Sequence, residues 1–310
     1  CRSAVETVPD QWDFTVPDSI VASVSEPVVG VVCWDAEANE RSPTEVGLRG
    51  TAYIQRVVQH YAQRIQHWEV DGSPPGATVT VREQGKRSGQ IARIIRQHDP
   101  DARVVLRAVS GWARLGSPSQ WASFMKGAGA GAFDVVSYRA LDPAVSASVE
   151  RPELRSMLAA AGWSDLGLWR RIEVSKDDAF EHPLAVGALK QTVEAWVAGD
   201  EAVFWPAELF SDRDRSGPNQ KVFSLVRSHL HGFTDVSRMK GLGPGQHGYR
   251  FELTDGSQRW LVWGRGTIAA PSRPYAKAMT PVLTHPDDRH QWKGVPDALP
   301  LGPVPMLIRN

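Results

Sequence analysis

Three residues of "QHWEVDGSPPG" (66–76) stand two apart: Glu69, Asp71 and Ser73. If 65–71 is a β-strand, alternation puts them on one face, and "DGSPPG" reads as a sharp turn beside them. A carboxyl group held at the mouth of a cleft is the group that general acid–base chemistry needs, whereas a serine hydroxyl has no useful acidity near neutral pH. Asp71 stands about 7 Å down the strand from Ser73, which sits in the turn. Two readings follow. Glu69 is a buried structural carboxylate and Asp71-Gly72 a turn, or a local shift at Asp71-Gly72 makes Asp71 a proton donor.

Other chemistries find less support. Nine histidines include the pairs His229/His231 and His285/His290, but neither matches a metal-ligand spacing, and no metal or cofactor is expected. "GLGPGQHG" does not join a strand to a helix as a phosphate loop must, and it reads as an interdomain linker. "REQGKRSGQ" (82–90) reads as a solvated basic loop, and no G-x-S-x-G is present. Lys+Arg and Asp+Glu balance at 35 each, so no global field favours nucleic acid. No run approaches 18 apolar residues, the length that spans a bilayer. The 12 Trp against 5 Tyr are unusual. Trp faces stack on sugar rings as well as filling cores, and Trp34, Trp112 and Trp205 fall at expected C-terminal strand ends, so these three are candidates for a sugar platform.

The elements that must position these groups alternate along the chain. Strands are expected at 27–34, 65–70, 102–109, 133–138, 166–174 and 201–208, with helices at 51–64, 89–99, 119–129, 151–162 and 184–199. The first of these helices puts Ile54, Val57, Val58 and Tyr61 on one face. One more helix is expected in "DQWDFTVPDSIVASV", and residues 1–8 would be the strand feeding it. The pattern predicts an α/β fold, a (β/α)₈ TIM barrel lacking its first strand. A doubly wound sheet is the alternative, without its usual glycine-rich loop. "YRFEL-TDGSQ-RWLVWG" predicts a hairpin, "GTIAAPS" and "LGPVPMLIRN" further short strands, and the expected domains are a barrel over 1–235 and a small antiparallel β domain over 236–310.

In order along the chain, these segments resemble the clan A glycoside hydrolases, retaining (β/α)₈ enzymes, above all their cellulase-like and xylosidase-like branches. "YIQRVVQHYAQRIQHWEVDGSP" resembles the strand 4 pattern that ends W-E-(V/I)-x-N-E-P. "FDVVSYRALDP" resembles strand 6, "LGLWRRIEVS" strand 7, and the C-terminal hairpin the accessory β-sandwich. The resemblance implies hydrolysis of O-glycosidic bonds with retention by two carboxyls about 5–5.5 Å apart. Its nucleophile position falls on Glu173, or on Ile172 with a one-residue offset; otherwise Glu173 is a barrel-lining or loop-facing residue balanced by Arg170 or Arg171. Its acid/base position falls on Ser73, and the neighbouring Asn becomes Gly72. Its strand 6 His becomes Arg139, which would pair with Glu173, grip an acidic sugar, or stand as a surface arginine.

Three replacements imply a scaffold that binds an oligosaccharide, polysaccharide or glycoside at the barrel mouth and cleaves poorly or not at all. The alternative is a diverged active glycosidase with Glu173 as nucleophile and Asp71 or a loop carboxylate such as Asp177 as acid. Two cysteines are too few for a disulfide scaffold, and Cys33 reads as a buried thiol. Cys1 reads either as the processed cysteine of a secreted, lipid-anchored protein or as the start of a truncated chain.

Overall fold

In the computed structural model the described residues are 5–8, 11–23, 28–32, 43–71, 80–108, 118–139, 147–172, 184–205, 209, 217–269, 278–281, 298–302 and 304–309. They begin with β1 (Val5–Val8), β2 (Gln11–Asp13) and α1 (Thr15–Ser23). Strands and helices then alternate: β3 (Val29–Val32), α2 (Pro43–Tyr61), β4 (His67–Asp71), α3 (Val81–His98), β5 (Arg103–Arg107) and α4 (Pro118–Ala128). The series continues through β6 (Val135–Arg139), α5 (Ala147–Ala160), β7 (Gly167–Arg171), α6 (Leu184–Ala198), β8 (Ala202–Phe204) and α7 (Pro218–His229).

All six expected strands are present, and β3 to β8 lie side by side in sequence order. Their parallel register pairs Val31 with Glu69, Asp71 with Arg107, and Arg107 with Ser137. A doubly wound sheet reverses its strand order at a switch point, and this one does not. The architecture is an incomplete, open (β/α) barrel of six parallel strands with a separate antiparallel sheet. The feeder strand expected in residues 1–8 is corrected: Val5–Val8 pairs antiparallel with Gln11–Asp13. Only two residues separate them, and a parallel crossover needs a dozen or more.

The chain divides into two compact units, residues 1–139 with 152–169, and residues 140–151 with 170–310. In the first, alternate strand residues face the helices. Trp68, Val70, Val104, Leu106, Val136 and Tyr138 join Ile54 and Val58 of α2, Ile91 and Ile95 of α3, and Phe124 of α4 in one buried core. Each such side chain contributes roughly 1.5–3 kcal/mol by leaving water.

The expected basic loop at 82–90 is also corrected: it forms the first turns of α3. The Thr80 side chain accepts from the Glu83 N–H at 3.2 Å, an N-cap that starts the helix eight residues before the periodic apolar stretch. Its glycines are contact surfaces rather than breakers. A Cβ on Gly85 would stand 2.0 Å from the Phe124 carbonyl oxygen, and one on Gly89 2.2 Å from that of Ala128, so α3 and α4 touch backbone to backbone.

The second unit holds α6, α7 and a five-stranded antiparallel sheet. Its strands are β9 (Phe233–Arg238), β10 (Gln246–Leu253), β11 (Gln258–Gly264), β13 (Ala278–Pro281) and β15 (Met306–Arg309), in the order β13-β15-β11-β10-β9. β12 (Thr267–Ala269) and β14 (Ala298–Pro300) pair separately. The expected hairpin is β10–β11, with Tyr249 opposite Leu261. "GLGPGQHG" is not a linker but the turn joining β9 to β10. Gly241 and Gly245 take φ of +77° and +72°, and the Gly243 N–H donates to Gln246 Oε1 at 2.9 Å. Helix α7, opened by Gly217 and Pro218, was not foreseen, although His229 lies in it.

Candidate functional site

The side of β4, β5 and β6 turned away from the helix-facing core carries different residues. It presents His67, Glu69 and Asp71 from β4, Arg103, Val105 and Arg107 from β5, and Val135, Ser137 and Arg139 from β6. This is an unusual lining, because the inner face of such a sheet is ordinarily filled by branched apolar side chains.

The charges are organised at the C-terminal strand ends. Glu69 is 1% exposed, and Arg107 Nε lies 3.7 Å from its Oε1. Arg107 Nη1 lies 3.7 Å from Asp71 Oδ2, so one guanidinium bridges two carboxylates on the neighbouring strand. Parallel pairing makes this possible, since Asp71 and Arg107 are register partners. Arg139 ends β6 two residues beyond Ser137, the register partner of Arg107, and is half-buried. Asp71, Arg107 and Arg139 are thus the last residues of three adjacent strands, at the end where (β/α) barrels build their sites.

Deeper along the same face, His67 lies 5.2 Å from the Trp169 ring, centroid to centroid, and Arg103 stands 5.9 Å over that ring. Burial first, then the positive charge of Arg103, holds the His67 imidazole below its usual range.

Of the residues singled out in the sequence, the structure brings Glu69 and Asp71 to one face, with Arg139 two strands away. Gly72, Ser73, Trp34, Trp112, Glu173 and Asp177 lie outside the described residues, as do Cys1, Cys33, His285 and His290. Trp205 follows β8, half-buried. Its indole N–H donates to Thr192 Oγ1 at 2.8 Å, and its ring meets Phe223 edge-on at 5.5 Å.

Arg107 went unremarked in the sequence. The signal was there: in "RVVLR" the alternation that buries Val104 and Leu106 turns Arg103 and Arg107 to the Glu69 face. Among the described residues, no group of three or more His, Cys, Asp or Glu could hold a metal ion, and no helix is long and apolar enough to cross a membrane.

No family profile and no curated protein matches the sequence. Among solved structures, the endo-beta1,6-glucanase BT3312 superposes on 99% of this chain and 76% of its own, with a TM-score of 0.57 and 11% identity. A thermostable mutant of a xylanase from Cellvibrio japonicus gives a TM-score of 0.46 at 14% identity, over 64% of this chain and 73% of that one. Native xylanase 10B from Thermotoga maritima gives 0.44 at 14% identity, over 65% and 70%. At such identity the likeness speaks for the fold alone: the chain shares its overall fold with that glucanase.

Proposed function

We propose that the chain is a glycoside-hydrolase-like protein that binds carbohydrate at the C-terminal strand ends and cleaves glycosidic bonds poorly. In this reading residues 1–235 are the barrel and 236–310 a β-sandwich-like accessory domain. One observation carries it. The inward face of β4 to β6 holds Glu69, Asp71, Arg107 and Arg139 where a folding core would hold Val or Ile. Charges kept at such a place cost stability, and a polyhydroxylated ligand at the rim is what they would serve. The glycosidase-like fold supports the same ligand class.

Poor cleavage rests on the resemblance, which puts Ser73 at the acid/base position and Glu173 at the nucleophile position. The Asp71–Arg107 ion pair supports it. Asp71 already faces a cation on the next strand, 3.7 Å away, which suits a paired carboxylate better than a donor reaching for a leaving oxygen. An active diverged glycosidase, with Asp71 or Asp177 as acid, is the second reading.

The test is release of phenol from activated aryl glycosides, with and without azide, beside Glu173→Gln. Binding to β-glucans that include a β-1,6-linked one is measured in parallel. With a nucleophile and no acid, the aryl group leaves as the glycosyl ester forms, and azide then opens that ester to a glycosyl azide. The expected result is azide-stimulated release, lost in Glu173→Gln, with negligible cleavage of natural glycosides. Equal turnover of natural glycosides would establish the second reading. Neither glycan binding nor turnover in the folded full chain would overturn both.

A further inference from the structure

The opposite, N-terminal end of β5, β6 and β7 carries a second depression. Three turns of one unit meet there: α3 to β5 around Pro100 and Asp101, α4 to β6 around Ala130 and Gly131, and α5 to β7 around Gly162 and Trp163. Gly131 and Gly162 take φ of +69° and +82°, a backbone that lets their turns reverse tightly beside the opening. The open depression they line has a volume of about 650 Å³. Small-molecule sites span about 300–1,000 Å³.

Its lining decides what it can hold. Arg96 Nη2 donates to both oxygens of Asp134, at 3.0 and 2.9 Å, and Asp134 also accepts from the Val104 N–H at 2.7 Å. That pair is a fixed wall. Three charged residues remain exposed around it: Asp101, Arg103 and Asp165. One cation among two anions is neither a phosphate cradle nor a cation cage. Arg103 is steadied over the Trp169 ring, and the Ser164 hydroxyl donates to Asp165 Oδ1 at 2.9 Å, so both charges are held in place. Trp163 is half-buried, tilted against Phe133 with ring centroids 6.1 Å apart, and also lines the pocket.

A surface with one partly exposed aromatic ring, two acceptors and one planar donor matches a ligand whose hydroxyls donate and accept at once over an apolar ring face. We propose that this depression is a second saccharide site that takes a neutral oligosaccharide. Trp163 lies under a sugar ring, Asp101 and Asp165 accept from hydroxyls, and Arg103 donates. It is separate from the rim of Asp71 and Arg139.

The test titrates the ¹⁵N-labelled full chain with linear β-1,6- and β-1,4-linked gluco-oligosaccharides and with soluble β-1,6-glucan. The Trp163 indole N–H signal is identified by its loss in Trp163→Phe. A saturable shift of that signal is expected. The double variant Asp101→Ala/Asp165→Ala, which alters only exposed carboxylates, should weaken it about tenfold or more at unchanged thermal midpoint. Arg139→Ala, at the other end, should leave it unchanged. A shift with oligosaccharide alone marks a chain-end site, and one with polymer as well a site for internal segments. No shift with any of these, or a shift that the double variant leaves at full affinity, would overturn the proposal. Binding at Trp163 with none at the rim would sink the proposed function and spare this inference; the reverse would sink this inference alone.

Discussion

The two faces of β4, β5 and β6 are made from the same fifteen strand residues and have opposite characters. Toward the helices stand Trp68, Val70, Val104, Leu106, Val136 and Tyr138, all closely buried. On the other side stand His67, Glu69, Asp71, Arg103, Arg107 and Arg139, relieved mainly by Val105 and Val135. A parallel sheet covered on both faces usually reads as a continuous apolar run. Here the helix side supplies the folding energy, while the inner side sets the buried Glu69 among half-buried and exposed charges. That division suggests the inner face is kept for a ligand.

Substitutions can break or sharpen this contrast. On the helix side, Trp68→Ala empties a site that is 1% exposed and frees the Asp99 carboxylate, which accepts from the indole at 3.4 Å. A loss of about 3–5 kcal/mol is expected in denaturant unfolding, with ligand affinity unchanged wherever the variant is folded. On the inner side, Glu69→Ala leaves Arg107 with Asp71 as its remaining carboxylate among the pairs described, and should cost about 3 kcal/mol. The double change Glu69→Leu/Arg107→Met should recover that loss or exceed it, since apolar pairs often replace buried ion pairs without penalty. It should also abolish saccharide binding at the rim. If the double variant were as unstable as the single one, the inner charges would be structural, and the contrast would collapse.

A smaller effect is expected at the α3–α4 contact. Gly89→Ala drives a methyl group into the Ala128 backbone and should cost about 1–3 kcal/mol, seen as a lowered thermal midpoint. The smallest effect concerns pH. The folded protein resists protonating His67, while the unfolded chain accepts the proton at about 6.5, so stability should fall as pH drops below that value. His67→Phe should flatten this part of the stability–pH curve. An unchanged slope would mean that other groups set it.

Much of the fold was legible because periodicity is local. Six strands and five helices follow from the spacing of apolar residues, and Glu69 and Asp71 share a face because side chains alternate along any strand. The misreadings have local causes too. "REQGKRSGQ" looked like a loop because Gly and charge are surface signals, yet Gly85 and Gly89 are where another helix's backbone arrives. "GLGPGQHG" looked like a linker because glycine turns and glycine linkers share a composition; only the pairing of β9 with β10 distinguishes them.

What the sequence determined by itself is therefore the alternation of six strands and five helices, the polar face of β4 and the unlike chemistry of Ser73 beside a strand that ends in Asp71. What only tertiary structure decided is who meets whom. Arg107 lies 36 residues beyond Asp71, and nothing in its own strand announces a carboxylate partner. Parallel pairing in sequence order brings the two into register, and burial of Glu69 one pleat below makes that guanidinium its counter-charge. The N-terminal pocket has the same origin: three turns far apart in the chain become neighbours because their strands are adjacent in one sheet. Alternation is a property of each strand alone. Register and adjacency belong to the assembled sheet.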